Sequence, residues 1–459
     1  MRTKNQATRD RLYAVLAREG MSGAATLATQ VGVSVATLHR LLAEVGSHVV
    51  AAGRARRARY ALRRPLRGDL AGLAVHEVDA DGRASQVGTL APVYPEGTWL
   101  DLASSGWPVP EATRDGWWHG LPYPFHDMRP QGYMGRQFAR SQHDALGVPS
   151  DPNAWSDDDV LVVLSRLGHD LSGSLIVGDA SAERWMAAKM APPAPLRTNR
   201  VAVGYAALAE MAIATGVAGS SAAGEFPKFT ALRELPGSGT PHVIVKFSGA
   251  DGSAAVTRWS DLLVCEHLAL ETAATLPGVA SAASRIVQAA GRTFLEVERF
   301  DRHGLHGRSR LVSLETLNAA LLGASSTDWP ALADRLALMG LLSAADVERV
   351  RHLWWFGRLI ANTDMHLGNL GFRPAGALAL APTYDMVPML YAPLAGGEVP
   401  GRTFDPPLPL PSVRAYWETA CVAAIAFWSR AAKDRRVSEP FRVISAGNAV
   451  RLSSIAALV

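Results

Sequence analysis

The chain has 459 residues, of which 48% are hydrophobic and 19% charged, with a formal net charge of +4; this is longer than one ordinary core and predicts two to four domains. Its 2 cysteines, Cys265 and Cys421, stand far apart without metal-ligand spacing, which argues against a disulfide framework or a zinc site and fits a reducing cytosol. The N-terminus is polar (Arg2, Lys4, Arg9, Asp10) with no apolar signal segment, and the most apolar stretch, 201–219, is interrupted by Glu210 and diluted by Gly204, Gly216 and Gly219, so a buried helix is expected there and no membrane partner.

Residues 1–67 hold 13 Lys/Arg against 3 Asp/Glu, and the remainder holds 33 against 39. A basic head on a mildly acidic body predicts nucleic acid as a partner of the first segment only. Within it, 9–18, 23–30 and 34–44 have helical apolar spacing, with Gly20 ending the first helix and Ser34 as N-cap of the third. Val31-Gly32-Val33 is the tight turn of a helix-turn-helix, and strands at 48–51 and 58–62 around a basic turn outline a wing. The expected DNA contacts are Thr37, His39 and Arg40 on the recognition helix and Arg54, Arg56 and Arg57 in the wing, beside Arg59. The alternative is a protein-docking module with a solvated basic edge. This winged helix-turn-helix is assigned to 1–65.

Residues 66–190 change character, with short strands at 73–78 and 85–90 around Asp81-Gly82, a helix at 158–168 and a strand at 173–177, as in a small α+β domain. PFHDMRPQGYMGR at 124–136 gathers His126, Asp127, Arg129 and Arg136, and a hydrogen-bonded loop is the favoured reading over a catalytic site. Pro192, Pro193 and Pro195 mark a linker or surface loop. Beyond it, 191–305 is strand-rich with one long helix and 306–459 is mostly helical, which predicts two lobes around a cleft.

The chemistry gathers in those two lobes. GSSAAGEFPK at 219–228 is small enough for backbone N–H groups to approach phosphates, although it lacks the Lys-Ser/Thr of a Walker loop; Lys228 is a further phosphate candidate. HVIVKF at 242–247 is an apolar strand bearing Lys246, whose ammonium needs an anionic partner. FLEVERFDR at 294–302 has the outline of an interlobe hinge, in which Glu298 and Phe300 offer backbone groups to adenine. NTDMHLGN at 362–369 sets Asp364 five residues before Asn369, a spacing that puts a carboxylate beside an acceptor hydroxyl and a neutral amide oxygen on a metal ion. TYDMVPM at 383–389 supplies Asp385 as a second hard oxygen ligand, suited with Asn369 to octahedral Mg²⁺.

Taken together and in this order, SAAGEFPK, the strand lysine, VERFDR, NTDMHLGN and TYDMVP resemble the HipA family of bacterial serine/threonine kinases, toxins of toxin–antitoxin systems, over roughly 70–440. The resemblance implies an α+β, bilobal protein-kinase-like fold using ATP and Mg²⁺, with catalytic Asp364 and metal ligands Asn369 and Asp385. It further implies nucleotide binding by Lys246, Glu298, Phe300, Ser221, Gly224, Lys228 and His366, and autophosphorylation of Ser221 (or Ser220) that silences the kinase. The N-terminal module places the chain with the HipA-like subgroup that carries its own helix-turn-helix, the YjjJ-like proteins, and the loop departs from the usual family pattern by reading Glu-Phe-Pro-Lys. Expected partners are DNA, an unidentified protein substrate and an antitoxin, in the cytoplasm and on the nucleoid when DNA-bound. Glu266 and Asp261 are both candidates for the acidic partner of Lys246. A nucleotide-sensing transcriptional regulator and a small-molecule kinase are the competing functions.

Overall fold

In the computed structural model, which describes residues 2–215 and 226–459, the N-terminal region is built from α1 (Arg2–Glu19), β1 (Ser22–Gly23), α2 (Ala24–Val31), α3 (Val35–Val45), β2 (Val49–Ala52) and β3 (Arg59–Leu62). Leu12, Leu16, Leu27, Val31, Leu38 and Leu41 close its core. Gly32 takes the left-handed conformation (φ 77°) that ends α2, and Ser34 caps α3 by accepting the Thr37 N–H at 3.2 Å. The sheet order β1-β3-β2 completes a winged helix. α1 begins earlier than the predicted 9–18 because its first turns are polar and carry no apolar marker.

The winged helix is docked directly on the rest of the chain. Val50 and Ala61 of the wing pack on Ala91, Val93 and Trp117. Tyr94 donates its N–H to Leu62 at 2.9 Å, Arg64 donates its own to Pro92 at 2.9 Å, and the Arg64 guanidinium pairs with Asp158.

The middle region holds β4 (Leu73–Val78), β5 (Ala84–Pro92), β6 (Thr98–Trp99), β7 (Trp117–Trp118), α4 (Gly132–Leu146), α5 (Asp157–Leu167), β8 (Leu175–Val177) and α6 (Asp179–Met190), with antiparallel sheet order β7-β6-β5-β4-β8. A capping box between Ser156 and Asp159 opens α5. The 124–136 segment is not loop throughout: a 3₁₀ turn over Tyr123–Met128 leads into α4.

Next come α7 (Val201–Thr215), β9 (Lys228–Leu232), β10 (His242–Phe247), α8 (Ala254–Ala273), β11 (Ser284–Ala289) and β12 (Arg292–Glu298), in a sheet of order β11-β12-β10-β9. The period of two along β10 decides where its lysine points. Val243, Val245 and Phe247 bury against Val201, Tyr205 and Ala209 of α7, each buried aliphatic side chain contributing about 1.5–3 kcal/mol. Ile244 and Lys246 therefore face the opposite side, toward α8 and the second lobe. No helix among the described residues is long and apolar enough to cross a membrane.

The second lobe comprises β13 (Arg302–His303), β14 (Gly307–Arg308), β15 (Val312–Ser313), α9 (Leu314–Leu317), α10 (Trp329–Leu338), α11 (Ala344–Leu359), β16 (Gly371–Ala375), β17 (Ala377–Leu380), α12 (Arg414–Ala431) and α13 (Glu439–Ala456). α8 is buried between the lobes and shares one apolar core with α11 and α12. Trp428 of α12 donates its indole N–H to the Leu359 carbonyl at 3.0 Å, satisfying an end carbonyl of α11 just before the 362–369 loop.

Candidate active site

The chain leaves α11 through Ala361, a non-glycine residue at φ 59°, which turns 362–369 away from the helix axis. Met365 is seated on Gly357 of α11, where a Cβ would come within 2.6 Å of its sulfur, so that glycine lets the loop lie close. The Asn362 Oδ1 accepts the Asp364 N–H at 3.0 Å, its Nδ2 donates to the Asp385 carbonyl at 3.4 Å, and the Asn369 Nδ2 donates to the Asp364 carbonyl at 2.8 Å. These bonds fix the backbone and leave the exposed Asp364 carboxylate and the Asn369 Oδ1 without hydrogen-bond partners among the described residues. Asp385 has φ 59°, a strained position that the surrounding bonds hold in place. Just ahead of it, Thr383 exchanges backbone bonds with Ala280 and Ala282 at 2.9 and 3.0 Å.

Lys246 donates to both oxygens of Glu266, at 2.7 and 2.9 Å, and to Asp385 Oδ1. Burial alone would lower the Lys246 pKa, but Asp385 and Glu266 overcome it and raise it. Burial lifts the Glu266 carboxyl above its ordinary range against the pull of Lys246, whereas at Asp385 the same lysine wins and the carboxyl is held down, hence ionised at neutral pH.

Lys246, Asp364, His366, Asn369 and Asp385 line one cleft of about 500 Å³. It continues into a space of about 290 Å³ lined by Ile244, Glu298 and Phe300, with Lys246, Asp385 and Lys228 common to both. The Glu298 carboxylate is engaged by Arg285 at 2.7 Å and Ser238 at 2.6 Å, its N–H goes to Ala283, and the Phe300 carbonyl accepts from Arg373 at 2.6 Å. Of the expected hinge groups, the Phe300 N–H has no protein acceptor among the described residues. His366 spends Nδ1 on the Gly368 N–H at 3.1 Å and caps the short turn ending at Asn369. The Asn369 Oδ1 and the second Asp385 oxygen are hard oxygens without protein partners among the described residues, a donor pair that fits Mg²⁺ completed by phosphate and water.

Residues 70–186 match the family model described as YjjJ-like toxin, middle domain, and residues 220–432 match the HipA-like C-terminal domain. Toxin YjjJ of Escherichia coli (strain K12) is 36% identical over 429 residues, covering 93% of this chain and 94% of that protein. The chain belongs to the YjjJ branch of the HipA-like family. Among solved structures it is similar to a chain of the Shewanella oneidensis MR-1 toxin–antitoxin complex of HipA, HipB and operator DNA (TM-score 0.48, 17% identity, 84% of this chain and 96% of that one). It is also similar to the Helicobacter pylori proinflammatory kinase CtkA (TM-score 0.34, 13% identity, 50% and 88%). The fold of this YjjJ-branch protein is α+β, a four-stranded sheet with α8 facing a mostly helical second lobe, with a winged helix at its head.

In this HipA-like protein the partner of Lys246 is Glu266; Asp261 instead accepts from the Ser438 N–H at 2.6 Å and hydroxyl at 2.7 Å. Asn362 carries no chemistry but joins the two acidic loops, and its place in the run Asn-Thr-Asp was the available signal. Asp127 is another cleft residue that the sequence left in a loop; its carboxylate is saturated by the Ser313 N–H and hydroxyl and by Thr316, so it fastens α9 to the middle region. Ser220, Ser221 and Gly224 lie outside the described residues, as does the Arg56 side chain. In the winged helix, Arg54 and Arg57 are exposed at the wing turn and Arg40 at α3. Thr37 is shared between Ser34 and Arg40, and His39 meets the edge of Tyr60 at 6.3 Å.

Proposed function

We propose that this protein is an ATP- and Mg²⁺-dependent serine/threonine protein kinase with a DNA-binding winged helix on the same polypeptide. The observation that carries the reading is the convergence of Lys246, Asp364, Asn369 and Asp385 on one cleft that opens beside Glu298 and Phe300. Lys246, held straight by Glu266, offers its ammonium to phosphate oxygens. Asp364, with no protein partner for its carboxylate among the described residues, orients the acceptor hydroxyl and takes its proton as the hydroxyl oxygen bonds the γ-phosphorus and the bond to ADP breaks. Asn369 and Asp385 would hold Mg²⁺, which when bound neutralises charge on the phosphates. The Phe300 N–H is the available hinge donor for adenine, and Lys228 and His366 border the phosphate end.

Ser221 or Ser220 is the proposed acceptor in autophosphorylation, and a separate protein is the proposed substrate in trans. Thr37, His39 and Arg40, together with Arg54, Arg56 and Arg57, are the proposed DNA-contacting set, supported by the exposed basic wing beside a capped recognition helix. With the DNA reader in cis, an antitoxin would serve to restrain the kinase rather than to bring it to an operator.

The test is transfer of label from γ-labelled ATP to the chain. Incorporation mapped to Ser220 or Ser221, and lost in Asp364→Asn at unchanged melting temperature, supports the kinase. Nucleotide binding without any transfer, to the chain or to a cell extract, would leave a nucleotide-sensing regulator in its place.

A further inference from the structure

A second cavity of about 300 Å³ lies behind the hinge, between α6 of the middle region and the strands β9 and β10. Its cationic residues are Lys189, Arg299, Arg302 and Arg308, and the acid that lines it is Asp170. Arg299 and Arg302 share Asp301 and Asp170: Arg299 reaches Asp301 at 2.9 Å, and Arg302 reaches Asp301 at 2.6 Å and Asp170 at 3.1 Å. Arg308 is 5% exposed and forms no ion pair among the described residues. One of its nitrogens donates to the His169 carbonyl, while Arg308 Nη1, Arg302 Nε and His169 Nδ1 are buried without partners among the described residues.

A buried guanidinium with neighbouring cations and no carboxylate of its own is unfavourable unless an anion joins it. Burial, followed by repulsion from Arg302, pushes the Arg308 pKa down to about 9. Leu232, Leu305 and Pro192 add apolar surface to the same lining. A cavity lined by both cationic and apolar groups suits a ligand that carries phosphate together with hydrocarbon or a ring, and guanidinium groups match phosphate geometry.

We propose that this cavity is a binding site for a small phosphate monoester of about nucleoside-monophosphate size, with Arg308 and Arg302 on the phosphate. Arg299 lines both this cavity and the cleft space beside Phe300, so an occupant sits directly against the hinge segment. Nothing in the site requires the kinase reading: its residues lie outside Asp364, Asn369 and Asp385.

Calorimetric titration of the full chain with AMP and with inorganic phosphate, in the presence of EDTA, tests it. The expected result is one AMP per chain. Dissociation constants should rise at least about tenfold, equivalent to about 1.4 kcal/mol, in Arg308→Met and in Ala188→Phe, and stay unchanged in Lys246→Met. Ala188 is an exposed residue at the cavity wall, so its variant tests the site even where Arg308→Met folds poorly. Slower amide exchange over 299–309 on adding AMP is the second expected sign. Phosphate binding as tightly as AMP would identify a free-phosphate site with no role for the apolar lining, which overturns the monoester assignment. AMP binding lost in Lys246→Met but kept in Ala188→Phe would move the ligand to the front cleft, and no binding of either compound at millimolar concentration would refute the site.

Discussion

Glu266 of α8 clasps Lys246 of β10 through both carboxylate oxygens, at 2.7 and 2.9 Å, and this pair joins the helix between the lobes to the strand above the cleft. Both side chains are almost fully buried, Glu266 at 1% exposure and Lys246 at 8%. Glu266→Gln keeps the shape and removes the charge. Lys246 retains Asp385 as a partner, so a stability loss of about 1–3 kcal/mol is expected rather than unfolding. The lysine would then swing toward Asp385 and neutralise the proposed Mg²⁺ ligand. The expected outcome is a rise in KM for Mg-ATP together with a fall in kcat, read from label transfer over a range of Mg²⁺ concentrations, with urea unfolding as the control.

Asn362 predicts a different signature. Its side chain, 7% exposed, binds the backbone of both Asp364 and Asp385 and touches neither carboxylate. Asn362→Ala leaves a buried N–H and a carbonyl short of partners, at a cost of about 1–3 kcal/mol. It also lets the two acidic loops drift apart, and a shift of about 1 Å in a reacting group lowers a rate by about 100-fold. A fall of that size in kcat, with KM for ATP nearly constant, is expected from steady-state kinetics. Equal losses in Asn362→Asp, which restores the acceptor but not the donor, would assign the effect to the missing bond to Asp385.

The elements of the proposed site were legible because the chemistry proposed for them demands fixed residue types at short range. Asp364 and Asn369 sit five apart in one loop, and Asp385 follows a strand that the apolar run 377–380 had marked. The direction of Lys246 followed from alternation along β10. Its partner did not: Asp261 and Glu266 are five positions apart on α8 and so face different ways, and the orientation of the helix about its axis is set by packing. α6 escaped notice because DASAERWMAAKM has no apolar stripe, burying little beyond Ser181 and Trp185. β1 spans two residues, too short for any pattern. The cluster of Asp170, Arg299, Arg302 and Arg308 joins side chains more than a hundred positions apart, which no local spacing reveals.

For the winged helix, the exposed Arg54 and Arg57 are the informative positions. Replacing both with alanine removes two phosphate contacts, so the plot of log affinity against log salt should become shallower by about 2 while stability stays within about 0.5 kcal/mol. Fluorescence anisotropy with a labelled duplex at several salt concentrations reads this. An unchanged slope would make the module a protein-docking surface. Deleting residues 1–65 is the poorer experiment, because it would uncover Ala91, Val93 and Trp117, which the wing now covers, and lowered solubility is its expected result.

Asp301, from the same hinge segment, supplies a pH test. It is 6% exposed and accepts from Arg299, Arg302 and the Gly173 N–H. Burial alone would raise its pKa, but the two guanidinium groups overcome that and hold the carboxyl well below the ordinary value of 3.8. The unfolded chain therefore binds this proton more readily than the folded one, and stability rises with pH across that interval. The contribution is complete above the ordinary carboxylate range and is lost as pH falls from about 5 toward the folded value. Asp301→Asn, which leaves two buried arginines short of a counter-charge, is expected to be less stable than the parent by about 3–5 kcal/mol at pH 7. The gap should narrow by about 1 kcal/mol by pH 3 as the unfolded parent chain takes up its proton, so the urea midpoints of the two proteins should draw closer from pH 7 through 4 to 3. A gap that stays constant to pH 3 would mean that the carboxylate charge is not what steadies the hinge.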